Sequence, residues 1–102
     1  MGWVMYKTHG GLNTYENDSL EPSDTFKILR FIKNKYGEHL KSDKEFWNII
    51  TDDIYNDLII NGMKINVSFD NWSGVFIMAM DESGNELVEE IAEMIQTDKF
   101  LL

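Results

Sequence analysis

The run Val75-Phe76-Ile77-Met78-Ala79-Met80 constrains this chain most. Six apolar residues follow one another without alternation. A strand with one wet face alternates, so an unbroken run predicts a strand covered on both faces. Polar turn segments bound it, Asp70 to Gly74 before and Asp81 to Asn85 after. In the preceding segment Met63, Ile65, Val67 and Phe69 alternate with Lys64, Asn66, Ser68 and Asp70. That pattern predicts a strand with one core face and one polar face, joined to the first by a hairpin. Trp72 falls in the hairpin turn, where an aromatic either anchors a partner or folds back over the sheet edge.

The segment after the run has helical spacing. Leu87, Val88, Ile91, Met94 and Ile95 form one stripe, which predicts a helix from Gly84 to about Gln96. Ser83 and Glu86 have the spacing of a capping box. Glu86, Glu89, Glu90 and Glu93 form the exposed stripe. Acids in a first turn suit the helix dipole, which gives Glu86 and Glu89 a local reason; Glu90 and Glu93 lack one.

Earlier in the chain, Gly2 to Thr8 predicts a strand, broken at His9-Gly10-Gly11. The polar stretch from Asn13 to Ser23 predicts a loop. A helix is expected from Ser23 or Asp24, as cap, to Tyr36, with Ile28, Leu29, Ile32 and Tyr36 on its apolar face. A second helix is expected from Asp43 to about Ile60. Ser42 and Glu45 would cap it, and Asn61-Gly62 would close it. Its core stripe is Phe46, Trp47, Ile50, Ile54 and Leu58. Ile49, Asp53, Asn56 and Ile60 form another stripe, flanked by Asp52 and Asp57. Such a face docks a partner through aliphatic contacts inside an acidic rim. The alternative is that Ile49 and Ile60 pack under a loop or the first helix. The expected order is β-α-α-β-β-α. It forms one α+β domain over residues 1–102, an antiparallel sheet of about three strands packed with three helices.

Several functions lack the residues they need. Two histidines at unrelated positions and no cysteine make no zinc site. No nucleophile elbow, phosphate-binding loop or dinucleotide glycine pattern occurs. Neither an enzyme nor a cofactor or metal site is expected. The first residues lack a basic segment followed by an apolar core, and no apolar run spans a membrane, so a cytoplasmic location is expected. The net charge of −9 is uneven. Residues 1–44 hold seven Lys/Arg and six Asp/Glu, for +1; residues 45–102 hold two and twelve, for −10. That half repels nucleic acid and anionic membrane and attracts a basic partner, unless the acid serves only solubility.

The segment from Ser68 to Ile77, Ser-Phe-Asp-Asn-Trp-Ser-Gly-Val-Phe-Ile, precedes a turn and an acidic amphipathic helix. In this, and in size and acidity, the chain resembles small immunity proteins of bacterial polymorphic-toxin and contact-dependent growth-inhibition systems. The resemblance implies binding and neutralisation of one cognate toxin C-terminal domain, often a nuclease, whose basic groove suits an acidic inhibitor. The expected partner-binding residues are Ile49, Asp52, Asp53, Asn56, Asp57 and Ile60 on the second helix, and Trp72, Glu86, Glu89, Glu90 and Glu93 nearer the C-terminus. A monomer or weak homodimer is expected. The competing reading is an acidic nucleic-acid mimic or adaptor that binds a host nucleic-acid-processing protein.

Overall fold

Tight hairpins build a single antiparallel sheet. The computed structural model of the chain describes residues 2–37, 40–42 and 54–98. Six strands appear in it: β1 (Val4–Lys7), β2 (Asn13–Asn17), β3 (Leu40–Ser42), β4 (Ile54–Ile60), β5 (Met63–Asp70) and β6 (Gly74–Ala79). Two helices accompany them, α1 (Pro22–Tyr36) and α2 (Asn85–Asp98), the second entered through a 3-10 turn over Glu82–Gly84. The spatial order of strands is β1-β2-β6-β5-β4-β3, with every neighbour antiparallel.

Alternation along the strands decides which residues meet the helices. Across the middle of the sheet Tyr15, Ile77 and Val67 stand in one row. Ile65 pairs with Ala79, and Phe69 with Val75, on the same face. All of these are buried, and they form one cluster with Ile28, Phe31 and Ile32 of α1 and Leu87, Val88, Ile91, Ala92 and Ile95 of α2. Both helices therefore cover the same face. Each fully buried Ile or Leu there contributes about 1.5–3 kcal/mol.

Polar residues fasten the helix starts. Asn85, the first residue of α2, accepts from the backbone N–H of Asn13 (2.8 Å) and donates to the Gly11 carbonyl (3.1 Å). The Asn13 side chain donates in turn to the Asn85 carbonyl (3.0 Å). These bonds pin α2 to the β1–β2 turn. At α1 the cap is Glu21, with Pro22 as the first helical residue. Asp24 accepts from the Glu21 N–H (2.9 Å). Asp24 is thus the third helical residue reaching back, not the cap that its position suggests.

The strand–hairpin–strand–helix order from Met63 onward matches its expectation, as does the helix ending at Tyr36. The expected three strands, three helices and β-α-α-β-β-α order are corrected. The described chain holds five strands of four to eight residues plus the three-residue β3. Besides the short β3, which pairs with β4 and was not expected, two errors account for this. Asn13–Asn17 is a strand, because Tyr15 packs in the core and the backbone returns along β1. The helix expected over 43–60 is replaced at 54–60 by β4, and residues 43–53 lie outside the described residues. Asn61-Gly62 is not a helix terminus but a two-residue hairpin loop between paired Ile60 and Met63. Both loop residues have positive φ, 52° and 81°, as a type I′ turn requires. The Ser83–Glu86 capping box is likewise replaced: Asp81 accepts from the Ser83 N–H (2.9 Å) and caps the 3-10 turn instead.

Two glycines carry different loads. Gly62 needs its positive φ but has open space around it. Gly74 has φ +72° and lies so close to β2 that a Cβ would overlap the backbone carbonyl of Asn17. Urea denaturation should separate the two. Gly62→Ala is expected to cost about 1–2 kcal/mol from left-handed strain alone. Gly74→Ala is expected to cost about 3 kcal/mol or more, because strain and backbone overlap add.

Candidate protein-docking surface

Two acidic surfaces stand out, at different places on the fold. The first is the outer side of α2. Its stripe Leu87, Val88, Ile91 and Ile95 is buried, which turns Glu86, Glu89, Glu90 and Glu93 outward. All four are exposed. Glu90 has a structural partner after all: it accepts a hydrogen bond from the Tyr36 hydroxyl at the end of α1. Glu90 lacks a local reason, as expected; its partner is tertiary, since only the fold brings Tyr36 to it. The Tyr36 phenol is held well above the ordinary tyrosine range by burial first, then by the hydrogen bond and the charge of Glu90. A shallow cleft beside this pair is lined by Lys35, Glu90, Glu93, Met94 and Thr97.

The second surface is at the β5–β6 turn. Asp70 Oδ1 accepts from the N–H groups of Trp72 (2.9 Å) and Ser73 (2.6 Å), which shapes the turn and projects Trp72 outward. Trp72 is 92% exposed. It does not fold back over the sheet edge, one of the two outcomes its position allows. Leaving an indole in water forgoes on the order of 3 kcal/mol of burial. Trp72 lines a groove of about 210 Å³ with Gly2, Val4, Glu16 and Asp18. Val4 and Glu16 are directly paired across β1 and β2, so both project to the face away from the helices. Val4, Met5 and Tyr6 of edge strand β1 are exposed as well. The Tyr6 phenol is pushed up by burial first, then by the nearby carboxylates of Glu16 and Asp70.

Among the described residues the patch expected on the second helix is split between two faces. Ile49, Asp52 and Asp53 lie outside the described residues. Asn56, Asp57 and Ile60 fall on β4, where a period of two replaces helical spacing. Asn56 and Ile60 are buried on the helix-covered face, and the Asn56 side chain donates to the Val67 carbonyl (3.3 Å). Asp57 is exposed on the opposite face and accepts from Asn66 (2.6 Å). Glu86 and Trp72 are also apart. Trp72 precedes β6 and Glu86 follows it, so the strand's length of roughly 20 Å separates the two ends. Val4, Tyr6, Glu16 and Asp18 were missed as site residues. Nothing in the spacing links residues 4–18 to residue 72; the β2–β6 pairing does that.

Among the described residues no group of three or more His, Cys, Asp or Glu is placed to hold a metal ion. No described helix is long and apolar enough to cross a membrane. Neither a protein-family model, nor a characterised protein, nor a solved structure matches this chain.

The Tyr36–Glu90 link yields a pH dependence with a definite sign. The folded state favours the neutral phenol, so its contribution is fully present below the ordinary tyrosine value, near pH 10, and is lost as pH rises beyond it. Tyr15 and Tyr6, also raised, share the trend. Urea denaturation at about pH 8 and about pH 11 should therefore show an alkaline loss of stability, and Tyr36→Phe should make that loss smaller.

Proposed function

We propose that this protein is an immunity protein that binds and neutralises one cognate bacterial toxin domain, a basic nuclease, by stoichiometric contact. The supporting observation is the exposed indole of Trp72 set beside the carboxylates of Glu16 and Asp18. A large apolar anchor inside an acidic rim has the anatomy of a protein-binding hot spot for a cationic surface. The four exposed glutamates of α2 and the net charge of −9 add long-range steering toward such a partner. Inhibition by this route needs no catalytic group, only complementarity and a slow off-rate.

The test begins by sequencing the DNA upstream of this gene for a secreted-protein reading frame with a small basic C-terminal domain, and co-expresses that domain with this chain; absence of such a frame counts against the proposal. That domain alone is expected to arrest bacterial growth, and this chain to restore it by forming a 1:1 complex in light scattering. Unrelated nucleases should remain active. Persistent growth arrest with no complex refutes the proposal; inhibition of several unrelated nucleases supports the nucleic-acid-mimic alternative instead. In the same assay the charge reversals Glu89→Lys and Glu93→Lys together should slow association about tenfold at low salt, with the difference shrinking as salt rises. Stopped-flow kinetics checks this.

A further inference from the structure

The groove beside Trp72 has a chemistry narrower than general acidity. Its volume, about 210 Å³, lies below the roughly 300–1,000 Å³ of small-molecule pockets and suits a single inserted side chain. Its five lining residues contribute one indole, one isopropyl group, the bare backbone of Gly2 and two carboxylates. None is a cation. Tyr6 projects to the same face as Glu16, two residues along β1 from Val4, with which Glu16 is paired. Asp70 fixes the turn that carries Trp72 through two backbone hydrogen bonds, so the indole's backbone is oriented before anything binds.

We propose that this groove is a seat for one arginine side chain of the partner. For the partner's identity this rests on the neutralisation reading; for the chemistry of the groove it does not. A guanidinium stacks its flat face on an indole while its N–H groups, which lie in its plane, donate to carboxylates at the side. The groove offers both surfaces together: Trp72 for stacking, and Glu16 and Asp18 for the donors. A lysine ammonium is a compact point charge that cannot use them in this paired way. The net charge of −9 raises the local concentration of any such cation.

The probe is the blocked tripeptide acetyl-Gly-Arg-Gly-amide, titrated into the whole protein. The readout is the indole N–H resonance of Trp72, assigned by its loss in Trp72→Phe. The counterpart with citrulline, which keeps the shape and removes the charge, is the control. The arginine peptide is expected to move this resonance saturably, with a Kd of about 1–10 mM. Citrulline should bind at least about fivefold more weakly, and so should the arginine peptide to Glu16→Gln/Asp18→Asn. Asp18 is exposed and Glu16 half-buried, both replacements keep the side chain's size, and far-UV circular dichroism verifies that the variant is folded. An unmoved Trp72 resonance at about 50 mM peptide overturns the inference. So does equal movement by the two peptides, or unchanged affinity in the folded double variant. Because no toxin domain is present, failure here leaves growth rescue to stand or fall alone. Conversely, arginine binding without growth rescue keeps the groove and removes the immunity reading.

Discussion

The row Tyr15–Ile77–Val67, running across the three central strands β2, β6 and β5, carries the rest of the structure. Its side chains can leave water only if something covers their face. Two amphipathic helices do so, α1 with Ile28 and Ile32 and α2 with Val88 and Ile91. The row couples the two ends of the chain, since β2 comes from the first hairpin and β6 from the last. Gln96 near the end of α2 donates to the Tyr15 hydroxyl (2.9 Å), so the one polar atom at the buried end of this ring is satisfied. Trp3 stacks on the same ring at 4.6 Å between centroids and extends the cover toward the chain start.

The opposite face follows different rules. Alternation places Asn66 and Ser68 of β5 there, beside Asp57 of β4. They bond in sequence: Ser68 donates to Asn66, and Asn66 donates to Asp57. Such a chain satisfies polar groups that the strand pattern forces onto a buried or half-buried surface. The same face ends, toward β1, in Val4, Glu16 and Tyr6. The groove beside Trp72 is therefore the rim of the polar face where it meets the β5–β6 turn. The α2 glutamates belong to the other side of the sheet, above the covering helices.

That separation shapes the function proposed. Steering charge and anchoring contact need not coincide, because Coulomb attraction acts over about a Debye length while an indole acts only on contact. A hairpin tip fixed by Asp70 leaves the backbone of Trp72 with little conformational freedom to lose. Rigid presentation lowers the entropic cost of binding. No reaction is required of any residue on either surface.

What the sequence by itself determined was everything encoded by local period and local turn chemistry. The alternation from Met63 to Asp70, the apolar run after it, and the helical stripes of α1 and α2 all appear as their spacing predicts. The four glutamates are exposed as expected, since the polar side of an amphipathic helix depends on neighbours close in the chain, whereas the spacing left Trp72 two outcomes and the structure exposes it. β4 was misassigned because Ile54 and Leu58 fit a period of four as well as a period of two, and Asn-Gly closes a helix as readily as a hairpin. Its register against β5 settles the choice, and that register is a long-range fact. The pairing of β2 with β6 is another. It turns a polar stretch near the start of the chain into a central strand and brings Glu16 and Asp18 to Trp72. Tertiary structure alone decided the groove, because hydrogen bonding between strands some sixty residues apart leaves no periodic mark on either one.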